Sequence, residues 1–177
     1  SFIEAPTGIG KTYAYLLTLL GQGKKLILSV PTKILQDQLM QDLAPVFKAK
    51  FGVNFAKVLG TANYISLEKF SKLLYKADDG KNFEIFKMKV LVWLTETKTG
   101  ELDELSLTMT SHAYLDSIRH TGTVSPGQLY FEQDFWQLTQ KKAENAQVTV
   151  MNHAYLAERI ADPWALFEAK VLVVDEA

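Results

Sequence analysis

The stretch that most constrains this chain is Ala5-Pro6-Thr7-Gly8-Ile9-Gly10-Lys11-Thr12, near its start. A short apolar run, Phe2 and Ile3, precedes it, and an apolar-periodic segment begins at Tyr13. This order predicts a strand, a glycine-bearing turn and the start of a helix. Such a turn directs backbone N–H groups at phosphate oxygens, and the helix N-terminus adds a partial positive charge. The pattern therefore predicts a phosphate-binding turn.

Two side chains at the end of this turn have expected roles. Lys11 would reach the β- and γ-phosphates of a nucleotide, and the hydroxyl of Thr12 would hold Mg²⁺. The alternative is an ordinary turn before a helix, but the motif occurs with the strand and helix that its mechanism requires. The residues predicted to bind the nucleotide are Pro6, Thr7, Gly8, Ile9, Gly10, Lys11 and Thr12.

Composition excludes several classes of protein. The chain has no cysteine, which rules out a disulfide framework, a thiolate nucleophile and an iron–sulfur cluster held by its own thiols. No apolar run approaches the length of a membrane span and no signal peptide opens the sequence, so we expect a cytoplasmic protein. The chain opens on Ser1 and ends directly after a strand-like run. Both ends are therefore expected to be cuts through a larger polypeptide.

Charge is unevenly distributed along the chain. The net charge is −1, but residues 1–60 carry seven lysines against three acidic residues. A uniformly basic nucleic-acid-binding protein is excluded, whereas a local nucleic-acid surface is compatible with this distribution.

The first 60 residues alternate between helical and strand-like patterns. A helix after the phosphate-binding turn is expected to close at Gly21 and Gly23, and Leu26–Val30 is typical of a strand buried on both faces. Thr32 is placed to cap a second helix, which Pro45 is expected to end or bend. That helix would present Leu35, Leu39 and Leu43 on one face, and residues 53–59 would form a third strand. This alternation predicts a right-handed, doubly wound parallel α/β sheet.

A mostly helical insertion is expected at residues 61–147, where no buried-strand pattern occurs. The apolar spacing predicts helices over 65–75, over 83–94, and from Phe131 to about Ala146. Residues 106–129 have no clear period and are expected to be loop with short helical pieces.

The parallel-sheet pattern resumes at Val148–Met151 and continues, after a helix at 154–160, with Val171–Val174. Asp175 and Glu176 then follow at the carboxyl end of a buried strand, where α/β sheets bind their ligands. Asp175 is expected to hold Mg²⁺, usually through water, and Glu176 to polarise the water that attacks the γ-phosphorus. The alternative is that the two acids cap a following helix.

Three weaker candidates have competing interpretations. His112, Asp116 and His120 are spaced four apart and would align on one helical face as a metal site, although a solvated surface is favoured. Asn152-His153 is expected either near a DNA path or as a helix cap, and the sequence leaves this open. Aromatic side chains beside Lys141 and Lys142 could stack bases, although a core role is favoured; they are Tyr130, Phe131, Phe135 and Trp136.

Three motifs together resemble helicase motifs I, Ia and II of superfamily 2, specifically its DinG and XPD-like branch. They are Glu4 to Thr12, Ser29-Val30-Pro31-Thr32-Lys33, and Val171-Leu172-Val173-Val174-Asp175-Glu176-Ala177. Asn63-Tyr64, the segment 93–105 and the segment 148–156 add to the resemblance, which covers essentially the whole chain.

The resemblance implies the first RecA-like motor domain of an ATP-dependent DNA helicase that tracks single strands 5′ to 3′. Lys11 and Thr12 would bind the phosphates and Mg²⁺, Asp175 would bind Mg²⁺, and Glu176 would be the catalytic base. Thr32 and Lys33 match the motif that contacts the DNA backbone. The implied cofactors are ATP and Mg²⁺. The implied partners are single-stranded or forked DNA and a second RecA-like domain in the same parent chain.

The sequence departs from the family pattern in its insertion. Most relatives hold a four-cysteine iron–sulfur cluster there, and Ser66 and Asp134 look like positions of two of those cysteines. We therefore expect no cluster, and an insertion held by its own hydrophobic packing. Some family members without a cluster carry an exonuclease domain, so an alternative is a non-unwinding nucleic-acid-binding ATPase module accessory to an exonuclease. Outside this family, a phosphotransferase acting on a small molecule also fits the phosphate-binding turn.

Overall fold

The computed structural model describes residues 10–76, 80–122, 124–127, 129–160 and 170–176. The chain divides into two compact units. We call Ser1–Leu59 with Lys142–Ala177 the sheet unit, and Gly60–Lys141 the helical unit. The strand predicted at Phe2 and Ile3, and most of the phosphate-binding turn, lie outside the described residues.

Helices and strands alternate at the start of the chain, and helices predominate between β2 and β3. The elements are α1 (Lys11–Gly21), β1 (Lys25–Val30), α2 (Lys33–Asp42), α3 (Ala44–Phe51), β2 (Phe55–Lys57), α4 (Leu67–Leu74), α5 (Lys81–Leu94), α6 (Met109–His112), α7 (Phe135–Asn145), β3 (Val148–Asn152), α8 (His153–Ile160) and β4 (Lys170–Val174). None of these helices has the length and apolar character needed to cross a bilayer, within the residues described.

The described strands form one parallel sheet in the order β2-β3-β1-β4. Leu28 of β1 is paired with Val150 of β3 on one side and with Val173 of β4 on the other. The predicted parallel α/β sheet is confirmed. Because all strands run in the same direction, their carboxyl ends lie along one edge.

Both faces of β1 are buried. Leu26, Leu28 and Val30 pack in one apolar cluster with Phe47 of α3. Ile27, which points to the opposite face, packs in a second cluster with Met151 and other side chains. This two-sided burial explains why β1 is a continuous apolar run instead of an alternating one.

Two predicted features of the sheet unit are corrected by the structure. Pro45 does not end the second helix; it lies in the first turn of α3, where its missing N–H removes no hydrogen bond. Leu43 lies between α2 and α3 but packs in the same apolar cluster as Leu35 and Leu39, as predicted. The third strand, β2, covers only 55–57 of the predicted 53–59.

The helical unit has its own apolar core. Buried side chains of α5 meet those of the segments around it, and the cluster consists of Ile65, Phe70, Phe86, Val90, Trp93, Leu102, Leu105, Leu115 and Ile118. Antiparallel bridges join Tyr64 to Glu101 and Ile65 to Arg119. The helices predicted over 65–75 and 83–94 are confirmed as α4 and α5.

The helix predicted from Phe131 to about Ala146 is shorter than expected. Phe131 lies in a separate single turn of 3₁₀ helix, and α7 begins at Phe135. Asp134 separates the two, because its Oδ1 accepts a hydrogen bond from the backbone N–H of Gln137 at 2.9 Å. A side chain that caps a helix in this way fixes where the helix begins.

Replacing Gly100 with alanine is expected to destabilise the helical unit by about 2–4 kcal/mol. Gly100 has a left-handed backbone, φ 67°, and an added Cβ would overlap Cβ and Cγ of Phe135. Hydrogen exchange of the amides in residues 60–141 would measure the loss of stability. Gly127→Ala is the matched control, since Gly127 is also left-handed, φ 94°, but a Cβ there meets nothing within 4 Å. Equal effects of the two substitutions would contradict the clash.

Candidate nucleotide-binding site

Two elements of the sheet unit bring polar side chains together at the carboxyl edge of the sheet. Gly10 has φ 67° and directly precedes α1, and Lys11 is the first residue of that helix. At the end of β4, the backbone N–H of Asp175 donates to the carbonyl of Ser29, 2.9 Å away, on the adjacent strand β1. This bond continues the parallel pairing by one residue, which fixes the backbone from which the Asp175 side chain projects.

One carboxylate oxygen links α1 to β4. Thr12 Oγ1 donates to Asp175 Oδ2 at 3.1 Å, and the hydroxyl of Tyr15 donates to the same oxygen at 2.8 Å. Thr12 and Tyr15 are three residues apart on α1 and therefore share one face of the helix. Burial raises the pKa of the Tyr15 phenol well above its usual range, and the hydrogen bond to Asp175 adds to the increase. Tyr15 therefore stays protonated and keeps its donor at neutral pH.

Glu176 follows Asp175 in a strained backbone conformation. Its φ is 54°, in the left-handed region that non-glycine residues seldom adopt, and its side chain is exposed. Both acids border a cleft of about 280 Å³, together with Thr12, Pro31, Leu35 and others. The cleft is therefore lined by the two acids, by Thr12, and by both apolar and polar side chains of α2.

A second polar contact lies between the ends of β1 and β3. Ser29 Oγ and His153 Nδ1 are 2.7 Å apart. His153 Nε2 is buried and has no hydrogen-bond partner within the described part of the chain. Asn152 accepts a hydrogen bond from the backbone N–H of Tyr155 at 2.7 Å. Asn152 is thus a cap of α8, one of the two alternatives that the sequence left open.

The two residues predicted to contact DNA begin α2, directly after β1. Thr32 Oγ1 accepts from the backbone N–H of Leu35 at 3.2 Å, which confirms the predicted helix cap. Lys33 is the first residue of the helix. Both residues lie beyond the carboxyl end of β1, on the same edge of the sheet as Asp175.

Of the residues predicted from sequence, the structure places Thr12, Asp175 and Glu176 around one cleft, with Lys11 adjacent to Thr12. Pro6, Thr7, Gly8 and Ile9 lie outside the described residues. Sequence reasoning missed Tyr15, whose spacing of three from Thr12 was a usable signal. It also missed the contact of Ser29 with His153, because no sequence signal indicates that β1 and β3 are neighbours in the sheet.

The metal interpretation of His112, Asp116 and His120 is wrong, because these residues do not share a helix. His112 ends α6, and Asp116 pairs with Arg119 at 2.7 Å. His120 is only 3% exposed, so the solvated-surface interpretation is also wrong for this residue. Its Nδ1 accepts from the N–H of Gly122 at 2.8 Å, and its Nε2 lies 3.1 Å from Asp134 Oδ2. Both ring nitrogens therefore have protein partners.

The aromatic residues near α7 differ in their surroundings. Phe135 packs against the apolar core of the helical unit, and the Trp136 ring lies 5.1 Å from that of His120. Lys141 lies 6.0 Å from the ring of Phe131. The core interpretation therefore describes Phe135 best, and a role in stacking bases stays a prediction for the others.

Comparisons with known proteins identify the family to which the chain is related. Residues 1–109 match the family model described as DEAD/DEAH box helicase. The whole chain is 32% identical to the 3'-5' exonuclease DinG of Staphylococcus saprophyticus and of Staphylococcus epidermidis, and 33% identical to that of Staphylococcus aureus. In each case this chain is covered completely, but it spans only 20% of the relative.

These matches confirm the resemblance to DinG that the motifs indicated. The family domain has a RecA-like fold, and the parallel sheet with helices on both faces agrees with it. The chain belongs to the DEAD/DEAH box helicase family.

Proposed function

We propose that this chain is the first motor domain of a longer, DinG-like DNA helicase that binds and hydrolyses ATP with Mg²⁺ and moves along single-stranded DNA. The observation that carries the proposal is the hydrogen bond between Thr12 and Asp175. These residues are 163 positions apart in sequence, yet they meet beside the N-terminus of α1, at the edge where α/β sheets bind ligands.

The oxygen atoms at this site suit Mg²⁺. Hydroxyl and carboxylate oxygens are the hard ligands that this ion prefers, and Thr12 and Asp175 would hold it. Because Thr12 donates its hydrogen to Asp175, the lone pairs of its oxygen are available for a cation. Mg²⁺ held there would neutralise negative charge on the phosphates of the nucleotide.

The other predicted residues have complementary roles in hydrolysis. Lys11 binds the phosphates together with the residues of the motif that precede it in sequence. Glu176 orients a water molecule and accepts its proton as that water attacks the γ-phosphorus. Its left-handed backbone agrees with this role, since strained residues cluster at active sites.

Nucleic acid would bind at the surface that begins at Thr32 and Lys33. The Thr32 side chain occupies the backbone N–H of Leu35, and the remaining N–H groups at the N-terminus of α2 would favour an anionic backbone. The excess of lysine in residues 1–60 supports binding of phosphates. We propose single-stranded or forked DNA as the partner.

The proposed parent protein supplies further parts. In helicases of this type a second RecA-like domain contributes the arginine that stabilises γ-phosphate transfer. Residues 61–147 would be an insertion in the first motor domain, formed without an iron–sulfur cluster because the sequence has no cysteine ligands. Ser66 and Asp134, which look like two of the family's cysteine positions, cap α4 and α7.

A second candidate function is favoured by the names of the relatives, which are 3'-5' exonucleases. In that case the chain would be a nucleic-acid-binding ATPase module that supports an exonuclease without unwinding DNA. The two candidates share the ATP site and differ in strand separation.

ATP turnover by the full-length protein, with and without single-stranded DNA, tests the proposal. We expect DNA to increase turnover, and Lys11→Ala to reduce it by about a hundred- to a thousandfold. Lys24→Ala, at an exposed lysine just after α1, is the matched control and should retain activity. DNA binding without any ATP turnover would contradict the motor. DNA-stimulated turnover without unwinding of a forked duplex would favour the exonuclease-associated module.

A further inference from the structure

We infer that Tyr15 is a positioning residue for Asp175, holding the carboxylate in the orientation in which it binds Mg²⁺. This inference rests on the proposed function of the site. The Tyr15 hydroxyl donates to Asp175 Oδ2 at 2.8 Å, closer than the 3.1 Å separating that oxygen from Thr12 Oγ1.

The ring and the hydroxyl of Tyr15 do different things. The ring is half-buried and packs against the apolar cluster that contains Leu16 and Leu28, and a phenylalanine ring would do the same. The hydroxyl adds a donor aimed at one carboxylate oxygen, and a half-buried phenol needs such a partner. The packing therefore explains an aromatic residue at this position, and only the contact with Asp175 explains a tyrosine.

Two donors on one oxygen restrict how the Asp175 side chain can turn. The backbone N–H of Asp175 is already held by Ser29, so the remaining freedom is rotation of the side chain. With Oδ2 fixed by Thr12 and Tyr15, the other oxygen, Oδ1, has one preferred position. Tyr15 makes this contact without being a candidate metal ligand itself, so it can hold Oδ2 whether or not Thr12 also contacts a cation.

Affinity for a fluorescent ATP analogue, measured in Mg²⁺ and in EDTA on the full-length protein, separates positioning from packing. For Tyr15→Phe we expect the affinity in EDTA to equal that of the wild type. The ratio of the affinity in Mg²⁺ to the affinity in EDTA should fall about tenfold, because a hydrogen bond to a charged group contributes a free energy of this size. The Mg²⁺ concentration that gives half of the increase should rise correspondingly. Thermal unfolding in EDTA should be little changed, because the ring stays in place.

Tyr13→Phe is the matched control. It makes the same chemical change two residues earlier on α1, where the ring packs on Phe47 at 5.0 Å between centroids. Its affinities in Mg²⁺ and EDTA should equal those of the wild type.

The inference is overturned if Tyr15→Phe keeps the full Mg²⁺ effect, or if it loses affinity equally in Mg²⁺ and EDTA, which would indicate packing alone. A wild-type protein whose nucleotide affinity does not respond to Mg²⁺ would instead overturn the proposed function, and this inference with it. The measurement on the wild-type protein thus shows whether the proposed function fails or only the inference about Tyr15.

Discussion

Replacing Glu176 with glutamine in the full-length protein is expected to reduce ATP hydrolysis by about a hundred- to ten-thousandfold while ATP binding changes little. Glutamine keeps the size of the side chain and its ability to contact water, but it cannot accept a proton. Glu176 is exposed at the cleft and follows Asp175 directly, so its removal should leave the Thr12–Asp175 contact intact. Steady-state turnover and the affinity for an ATP analogue, measured in parallel, check both halves of the expectation.

Glu158→Gln is the matched control for this experiment. Glu158 is an exposed glutamate on α8, in the same unit, so its substitution removes the same charge without touching the cleft. Turnover near the wild-type rate in Glu176→Gln would show that another group accepts the proton. Equal losses in the two variants would point to net charge as the cause.

Replacing Asp134 with alanine is expected to destabilise the helical unit by about 2–4 kcal/mol. Two interactions are lost together. Asp134 Oδ2 accepts from His120 Nε2 at 3.1 Å, and Oδ1 caps α7 through the N–H of Gln137. His120 is 3% and Asp134 5% exposed, so water cannot replace the lost acceptor without a rearrangement. Hydrogen exchange of residues 60–141 in the 177-residue chain would measure the loss.

Asp116→Ala offers a direct comparison in the same unit. Asp116 also pairs with a basic side chain, Arg119, at 2.7 Å, but its own side chain is 88% exposed. Exposed pairs contribute only about 0–1 kcal/mol, so this substitution should be nearly neutral. If the two substitutions have the same effect, burial is not what makes the His120–Asp134 contact important.

The parts of the fold that were predictable from sequence are those set by local patterns. The buried run Leu26–Val30 could hardly be anything but a central parallel strand, and Thr32 has the side chain and position of a helix cap. The wrong boundaries at Pro45 and Phe131 have a common cause. Proline is compatible with either end of a helix, and apolar spacing alone continues through a capping residue such as Asp134.

The candidate site was predictable only in part, for a physical reason. Motif spacing identified Thr12, Asp175 and Glu176, because their chemistry requires those residue types next to a turn or a strand end. His120 was misassigned, because a spacing of four has meaning only on a continuous helix. Tyr15 could have been found from its spacing of three from Thr12 on one helix. The contact of His153 with Ser29 could not, because it depends on which strands become neighbours.

The strand order β2-β3-β1-β4 has a consequence for how the protein is made. Of the strands that the structure describes, β1 and β2 come before the helical unit in sequence, but β3 lies between them in the sheet. Both described neighbours of β1 are translated only after residues 60–141. During synthesis β1 therefore remains unpaired until β3 and β4 have been made. The helical unit is formed by one continuous segment and can fold before the sheet unit. The unpaired apolar strand makes the nascent chain prone to aggregation during that interval.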